Sequence, residues 1–363
     1  MSDNSVLVGM SGGVDSSVAA KCIVDSGDTA IGAMMRLYDT PGDACGRSCC
    51  TQEDAEDARA VARRLGIPFY VFNFQDAFAA QVMAPFAASY LAGRTPNPCI
   101  DCNRSLKFDR LLHRAEELHC DRLATGHYAR IEQDRSGRFH LKKAADETKD
   151  QSYVLCDLSQ EQLARLTFPL GGLRKSEVRR IAAECGFVNA DKPDSQDICF
   201  VPDGDYAAVI EQITGKPCAP GHFVDTQGHI LGTHRGLCCY TVGQRRGLPP
   251  TLPGRRYVCR LCPEENTVVL GEERELYSRT AAVGDVHFTA GDPPAAQFRC
   301  RVRTRYRQPE QEAAVTVLSD GRLRLRFDEP QRAITPGQTA ALYDGDEVLG
   351  GGRILPPDDN EEG

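Results

Sequence analysis

The 363-residue chain carries a formal net charge of −8. It is long enough for two or three domains with ample core, but it has no global positive field, so any polyanion must be gripped by local basic patches. No run is long and apolar enough to span a bilayer, and the N-terminus lacks a basic region followed by an extended apolar core, which argues against a secretory signal. Sixteen cysteines without a leader pattern fit mostly free thiols in a reducing cytoplasm, with Cys22 and Cys185 at helical spacing as small core residues.

In chain order, Val6 to Met10 is a short apolar run that reads as a buried strand. A glycine-rich turn follows, then Val18 to Ser26 at helical spacing, with Gly27 as its C-cap. Thr29 to Leu37 reads as a strand, Glu53 to Leu65 as a helix closed by Gly66, and Ile67 to Phe74 as a strand. Asn103 to His119 reads as a helix, Arg122 to Thr125 as a short strand ending at Gly126-His127, and Tyr128 to Lys143 as a hairpin turning at Ser136-Gly137. Lys175 to Cys185 is a further helix. This alternation predicts an α/β domain over 1–205 with a parallel sheet covered on both faces. From 206 to 280, Gly and Pro punctuate short stretches, predicting a small loop-rich central domain. From 281 to 356, short alternating runs predict an antiparallel β-barrel, and the polar, acidic composition of 357–363 predicts a disordered tail. There is no internal repeat.

The turn Ser11-Gly12-Gly13-Val14-Asp15-Ser16-Ser17 joins a strand to a helix start. Its glycines let backbone N–H groups approach an anion, and the positive end of the helix dipole favours one. The Walker pattern is absent. The turn resembles the pyrophosphate loop of the ATP pyrophosphatases, which cleave ATP between the α and β phosphates and transfer AMP to a carbonyl or carboxyl oxygen. The bland alternative is one of the many serine-glycine turns that precede helices. Ligands of parallel sheets sit beyond the carboxyl ends of the strands. The turn, Met35 and Gly126-His127 all fall there, so they can converge on one nucleotide.

Two polar segments carry cysteines. In Arg94-Thr95-Pro96-Asn97-Pro98-Cys99-Ile100-Asp101-Cys102-Asn103 the prolines predict an extended backbone, with Cys99 and Cys102 on a loop entering the next helix. The second is Asp191 to Phe200, holding Cys199. A lone C-x-x-C is redox-active, metal-binding or incidental. A four-thiolate zinc site needs a second spaced pair, and Cys49-Cys50 and Cys238-Cys239 are adjacent instead.

SGGVDSS, RTPNPCIDCN followed by Leu106-Lys107-Phe108, ATGHYAR, KDQSYVL, DSQDICF, YTVGQRRGL, TRYRQ and TPGQTAALYDGDEVLGGGRI occur in this order. Together they resemble the bacterial and organellar tRNA-specific 2-thiouridylases across nearly the whole chain. The resemblance implies an adenine nucleotide α-hydrolase-like N-terminal domain, and thiolation at C2 of the wobble uridine in tRNAs for glutamate, glutamine and lysine. ATP, with Mg2+, would adenylate the uridine O2 at Gly9, Met10, Ser11, Gly12, Gly13, Val14, Asp15 and Ser16, with Met35 and Gly126 near adenosine. Cys199 would carry a persulfide and Cys102 would be its partner, freeing sulfide or closing a disulfide. Asn97, Pro98 and Cys99 would meet the target base. His127, Lys149, Asp150, Gln151, Arg305, Tyr306 and Gln338 would contact tRNA. The sulfur would come from a cysteine desulfurase or a relay protein. Read without the resemblance, Met35 is plain core and His127 a satisfied turn histidine.

One departure stands out, for many relatives have aspartate where this chain has Cys99. Cys99, Cys102 and Cys199 together have the makings of a [4Fe–4S] site with one iron open to sulfide, whereas the persulfide route needs only Cys102 and Cys199. Cys45, Cys49 and Cys50 have no assigned role.

Arg299, Arg301, Arg303, Arg305 and Arg307 alternate along the chain, which on one strand sends all five guanidinium groups to one face. Arg322, Arg324 and Arg326 repeat the pattern, and Arg245-Arg246 and Arg255-Arg256 add basic loops. Phosphate contact competes here with a solvated face paired to neighbouring Asp and Glu. Two rival readings of the whole chain are an amide-forming ligase built on the same loop and a non-catalytic thiol or metal-binding protein. The ligase leaves the cysteine segments and arginine run unexplained, and the binding protein makes the adenylation loop superfluous.

Overall fold

The computed structural model describes residues 4–38, 51–194, 198–201, 204–249 and 254–357. Cys45, Cys49, Cys50, most of the acidic tail and residues 195–197 of the Cys199 segment lie outside the described residues.

In the first domain β1 (Ser5–Gly9) lies at the centre of a parallel sheet. β2 (Thr29–Arg36) and β3 (Phe69–Asn73) follow on one side, and β4 (Arg122–Thr125) with the two-residue strand later numbered β7 (Leu166–Thr167) on the other. The order β3-β2-β1-β4-β7 reverses direction at β1, so the ligand crevice opens where the chain leaves β1 and β4. Val6, Leu7 and Val8 are all buried because both faces of β1 are covered. Val6 and Val8 pack with α1 (Val14–Asp25) and α2 (Gln52–Leu65), while Leu7 faces a second cluster on the opposite side. That second cluster is filled by α3 (Gln75–Phe78), a π-helical stretch Ala79–Met83, α4 (Ala84–Leu91), α5 (Pro98–Cys102), a longer π-helical stretch Asn103–Arg110 and α6 (Leu111–Glu117).

Two expectations are corrected here. Cys99 and Cys102 do not lie on an entry loop, and the helix does not begin at Asn103. Asn97 caps α5 by accepting from the Cys99 N–H at 3.2 Å, and Pro98 occupies the first helical position. Asn-Pro is a helix-start signal, because an Asn cap satisfies an orphan N–H and proline has none to satisfy.

The hairpin β5 (Ala129–Gln133) and β6 (Phe139–Lys143) forms as expected, but it leaves the parallel sheet and joins the C-terminal barrel through the Glu347↔Lys142 pair. α7 (Gln160–Arg165) precedes β7, α8 (Lys175–Glu184) packs on α1, and α9 (Tyr206–Thr214) leads into the central domain. There β8 (Gly221–Val224), β9 (Ile230–His234), β10 (Tyr257–Cys262) and β11 (Thr267–Gly271) form a sheet in the order β10-β11-β8-β9. Cys218 and Cys238 are joined in a disulfide there, an exception to the expected free thiols.

The C-terminal strands are β12 (Tyr277–Phe288), β13 (Gln297–Arg303), β14 (Gln311–Val317), β15 (Leu323–Arg332), β16 (Thr339–Asp344) and β17 (Glu347–Ile354). They run β12-β15-β14-β13-β16-β17, and β12–β17 pairing closes the barrel around Val283, Val302, Val315, Leu325 and Leu342. The arginine run is also corrected, because β13 ends at Arg303. The β16 pairing stops there, and period-two alternation holds only while the ladder lasts. Arg305 and Arg307 lie in the turn beyond it.

Candidate active site

Each residue from Gly9 to Ser16 sits where a strand end becomes a helix start. Gly13 caps α1 without any side-chain bond to its amides, so the positive end of the helix is left to an incoming anion. The turn is braced internally. Ser16 Oγ accepts from the Ser11 N–H at 3.1 Å and donates to the Gly13 carbonyl at 3.0 Å, and Ser17 Oγ donates to the same carbonyl at 3.1 Å. Gly12 has φ of 78°, and a Cβ there would run into the Asp54 backbone. Gly126, at the end of β4, lies against the α1 terminus, where a Cβ would be 2.8 Å from Ser16 N. The two strand ends therefore meet at the topological switch point. Met35 extends two residues past the Gly9↔Ala33 pair on the neighbouring strand and packs, half-buried, against the apolar cluster.

Asp15 is not free within this turn. Lys175 Nζ donates to both of its carboxylate oxygens at 2.6 and 2.8 Å, and Tyr128 Oη donates at 2.8 Å. Lys175, only 9% exposed, also meets Asp194 at 2.7 Å. Asp194 further receives Lys149 at 2.9 Å and Arg179 at 3.1 Å. Burial alone would raise the Asp194 carboxyl, but the lysines outweigh it and hold it below the ordinary aspartate value. Asn189 donates to the Gly12 carbonyl at 2.8 Å and to Ser17 Oγ at 2.9 Å, so it supports the loop from beneath. Tyr128 and Asp194 stand inside sequence motifs already noted. Lys175 and Asn189 carry no spacing signal that would have singled them out.

Cys102 is 8% exposed, Cys99 is exposed and Cys199 is half-buried. Cys102 and Cys199 share one apolar cluster. Phe200 anchors the Cys199 turn edge-on between Phe78 and Phe86, with ring centroids 5.5 and 5.0 Å away. Burial first, then the charge of Asp150, holds the Tyr306 phenol above its usual value. Among the described residues no group of three His, Cys, Asp or Glu side chains is placed to hold a metal ion. The three cysteines do not form an iron–sulfur cradle here.

Several residues expected to touch RNA serve here as struts. Lys149 pairs with Asp194, and Gln151 accepts from the Tyr128 N–H at 3.0 Å. Asp150 is buried, accepting from Ala144 N–H, Ser152 and Arg303. Gln338 donates to the Thr95 carbonyl at 2.8 Å. Arg305 donates to the Val242 and Ala333 carbonyls, each at 3.0 Å, and to Thr335. His127 is buried against Phe108 and Phe168, with Nδ1 2.7 Å from Thr125 Oγ1. Burial, with Lys107 nearby, pulls it well below the ordinary histidine value, so it is neutral, and its surroundings are those of a satisfied turn histidine. Tyr306, 39% exposed, keeps a face to solvent with its ring against Tyr153.

Comparison with known proteins adds three matches to domain families: "tRNA methyl transferase HUP domain" over residues 4–203, "tRNA methyl transferase PRC-barrel domain" over 208–272 and "Aminomethyltransferase beta-barrel domain" over 278–354. The chain is 48% identical over 358 residues to the tRNA-specific 2-thiouridylase MnmA of Acetivibrio thermocellus, covering 98% of this chain and 100% of that one. It is 48% identical over 356 residues to its counterpart in Symbiobacterium thermophilum, covering 96% and 91%. With that of Carboxydothermus hydrogenoformans the identity is 46% over 353 residues, covering 96% and 97%.

Proposed function

The chain belongs to the tRNA-specific 2-thiouridylase family, and on that premise we propose that it thiolates C2 of the wobble uridine in tRNAs for glutamate, glutamine and lysine. ATP sits on Gly9 to Ser16, with Met35 and Gly126 toward the adenosine. The uridine O2 attacks the α-phosphate, pyrophosphate leaves, and AMP turns a poor leaving group into a good one. A Cys199 persulfide then attacks C2 with its terminal sulfur, and AMP departs. The Cys102 thiolate attacks the Cys199 sulfur of the resulting adduct, which frees 2-thiouridine and closes a Cys102–Cys199 disulfide. A thiol reductant must reopen that disulfide before a cysteine desulfurase or relay protein reloads Cys199. Exclusion of water around the activated base keeps the adenylate from reverting to uridine.

The observation that supports this reading is that both chemistries border the central strand β1. The uncapped α1 terminus under Gly126 suits a polyphosphate, and Cys102 and Cys199 lie in the one apolar cluster on the far side of β1. Supplied with ATP, Mg2+, a persulfide donor and unmodified tRNA, the protein is expected to make AMP and 2-thiouridine together, read by nucleoside mass spectrometry. Cys199→Ser and Cys102→Ser should each abolish 2-thiouridine and leave ATP binding intact. AMP formed on a small carboxylic acid, without tRNA thiolation, would establish the amide-forming ligase instead.

A further inference from the structure

α5 is a single turn with the π-helical stretch Asn103–Arg110 directly behind it. Cys102 and Asn103 both keep right-handed helical geometry, so α5 runs without a break into that stretch. The turn is also held from outside. Asn103 donates to the Val154 carbonyl at 2.8 Å behind it, and further supports come from the C-terminal barrel. The Thr95 N–H donates to the Pro336 carbonyl at 2.8 Å, and Gln338 returns a bond to the Thr95 carbonyl. Asp101, one residue before Cys102 and 6% exposed, receives Arg353 Nη2 of β17 at 3.0 Å. Arg104 approaches the same carboxylate oxygen at 3.5 Å and Asp157 at 3.7 Å. A polar cavity lined by Asn97, Arg104, Asp157, Asp285 and Arg353 opens beside the pair.

We propose that Asp101 and Arg353 are positioning residues for sulfur transfer, through which the C-terminal barrel sets the orientation of the helical turn that carries Cys102. The inference rests on the reading of Cys102 as a sulfur-transfer residue. A partly buried ion pair adds little to stability over an apolar pair of the same size, but its direction is strict, and losing Arg353 leaves the buried Asp101 with only the longer Arg104 contact.

Asp101→Ala, Arg353→Ala, the double variant and Arg353→Lys test this. Each single alanine change is expected to lower kcat for thiolation about tenfold or more, with KM for tRNA within about twofold of the parent. The double variant should be no worse than the poorer single, and Arg353→Lys should recover part of the loss. Losses that multiply in the double variant, or a raised KM at unchanged kcat, would overturn the proposal. Iodoacetamide labelling without ATP or tRNA, read by peptide mass spectrometry, provides a readout independent of turnover. Cys102 should label faster in both single variants at temperatures where they remain folded, and an unchanged rate sinks the positioning role even if activity falls. Faster labelling in a protein whose parent makes no 2-thiouridine would overturn the proposed reaction, and the sulfur-transfer role with it, leaving only the hold of the pair on the Cys102 turn.

Discussion

Gly12 combines a φ of 78° with the Asp54 backbone directly against it, so two independent constraints exclude any side chain. Gly12→Ala is expected to cost about 2 kcal/mol or more, from the left-handed backbone and the displaced α2 terminus together. Thermal unfolding and ATP binding should fall in step; unchanged ATP affinity with a lowered Tm would show that the loop tolerates the shift. The glycines were legible in the sequence because φ and close approach are local demands. Asp15 was legible as a loop residue, but its partners were not. Lys175 lies 160 residues away, and only the docking of α8 on α1 brings its ammonium to that carboxylate.

The β5–β6 hairpin is an element whose boundaries follow from the sequence and whose destination does not. Its turn and alternation are local, but its attachment to the barrel is flanked by charged pairs: Arg130 and Lys142 with Asp346, Lys143 with Glu310, and His140 with Glu347 at 2.8 Å. Hydrogen bonds first from Glu347 and then from Asp134 raise His140 above the ordinary histidine value of about 6.5. A raised pKa means that the bridge is complete below that value and weakens as pH climbs through the raised one. Tm should therefore fall between pH 6 and pH 8 more steeply in the parent than in His140→Gln, and equal slopes would remove the bridge from the account. At the same scale, α5 was missed because its two prolines suggested an extended backbone, although Asn97-Pro98 is a cap followed by a first helical position.

At the scale of the whole molecule, a chain of net charge −8 needs a local surface to hold tRNA. On the outer barrel face the register sets Arg299, Ala314 and Arg326 in one row and Gln297, Thr316 and Arg324 in the next. Arg324→Ala with Arg326→Ala is expected to weaken tRNA binding and reduce its salt slope by about 2, roughly one per phosphate contact. An unchanged slope would move the RNA to another face. The run from Arg299 to Arg307 looked like one basic stripe, yet only its first three members lie on β13. Arg303 is committed to Glu310 at 2.8 Å and to Asp150 at 3.4 Å, and Arg305 ties the central domain to the barrel. By itself the sequence determined the βα alternation, the glycine turn and the cysteine motifs, because these follow from backbone periodicity and from residues adjacent in the chain. Only the tertiary structure decided which charges became struts. Asp101 and Arg353 are 252 residues apart, and such a pair exists only once the packing of whole domains has brought the two ends together.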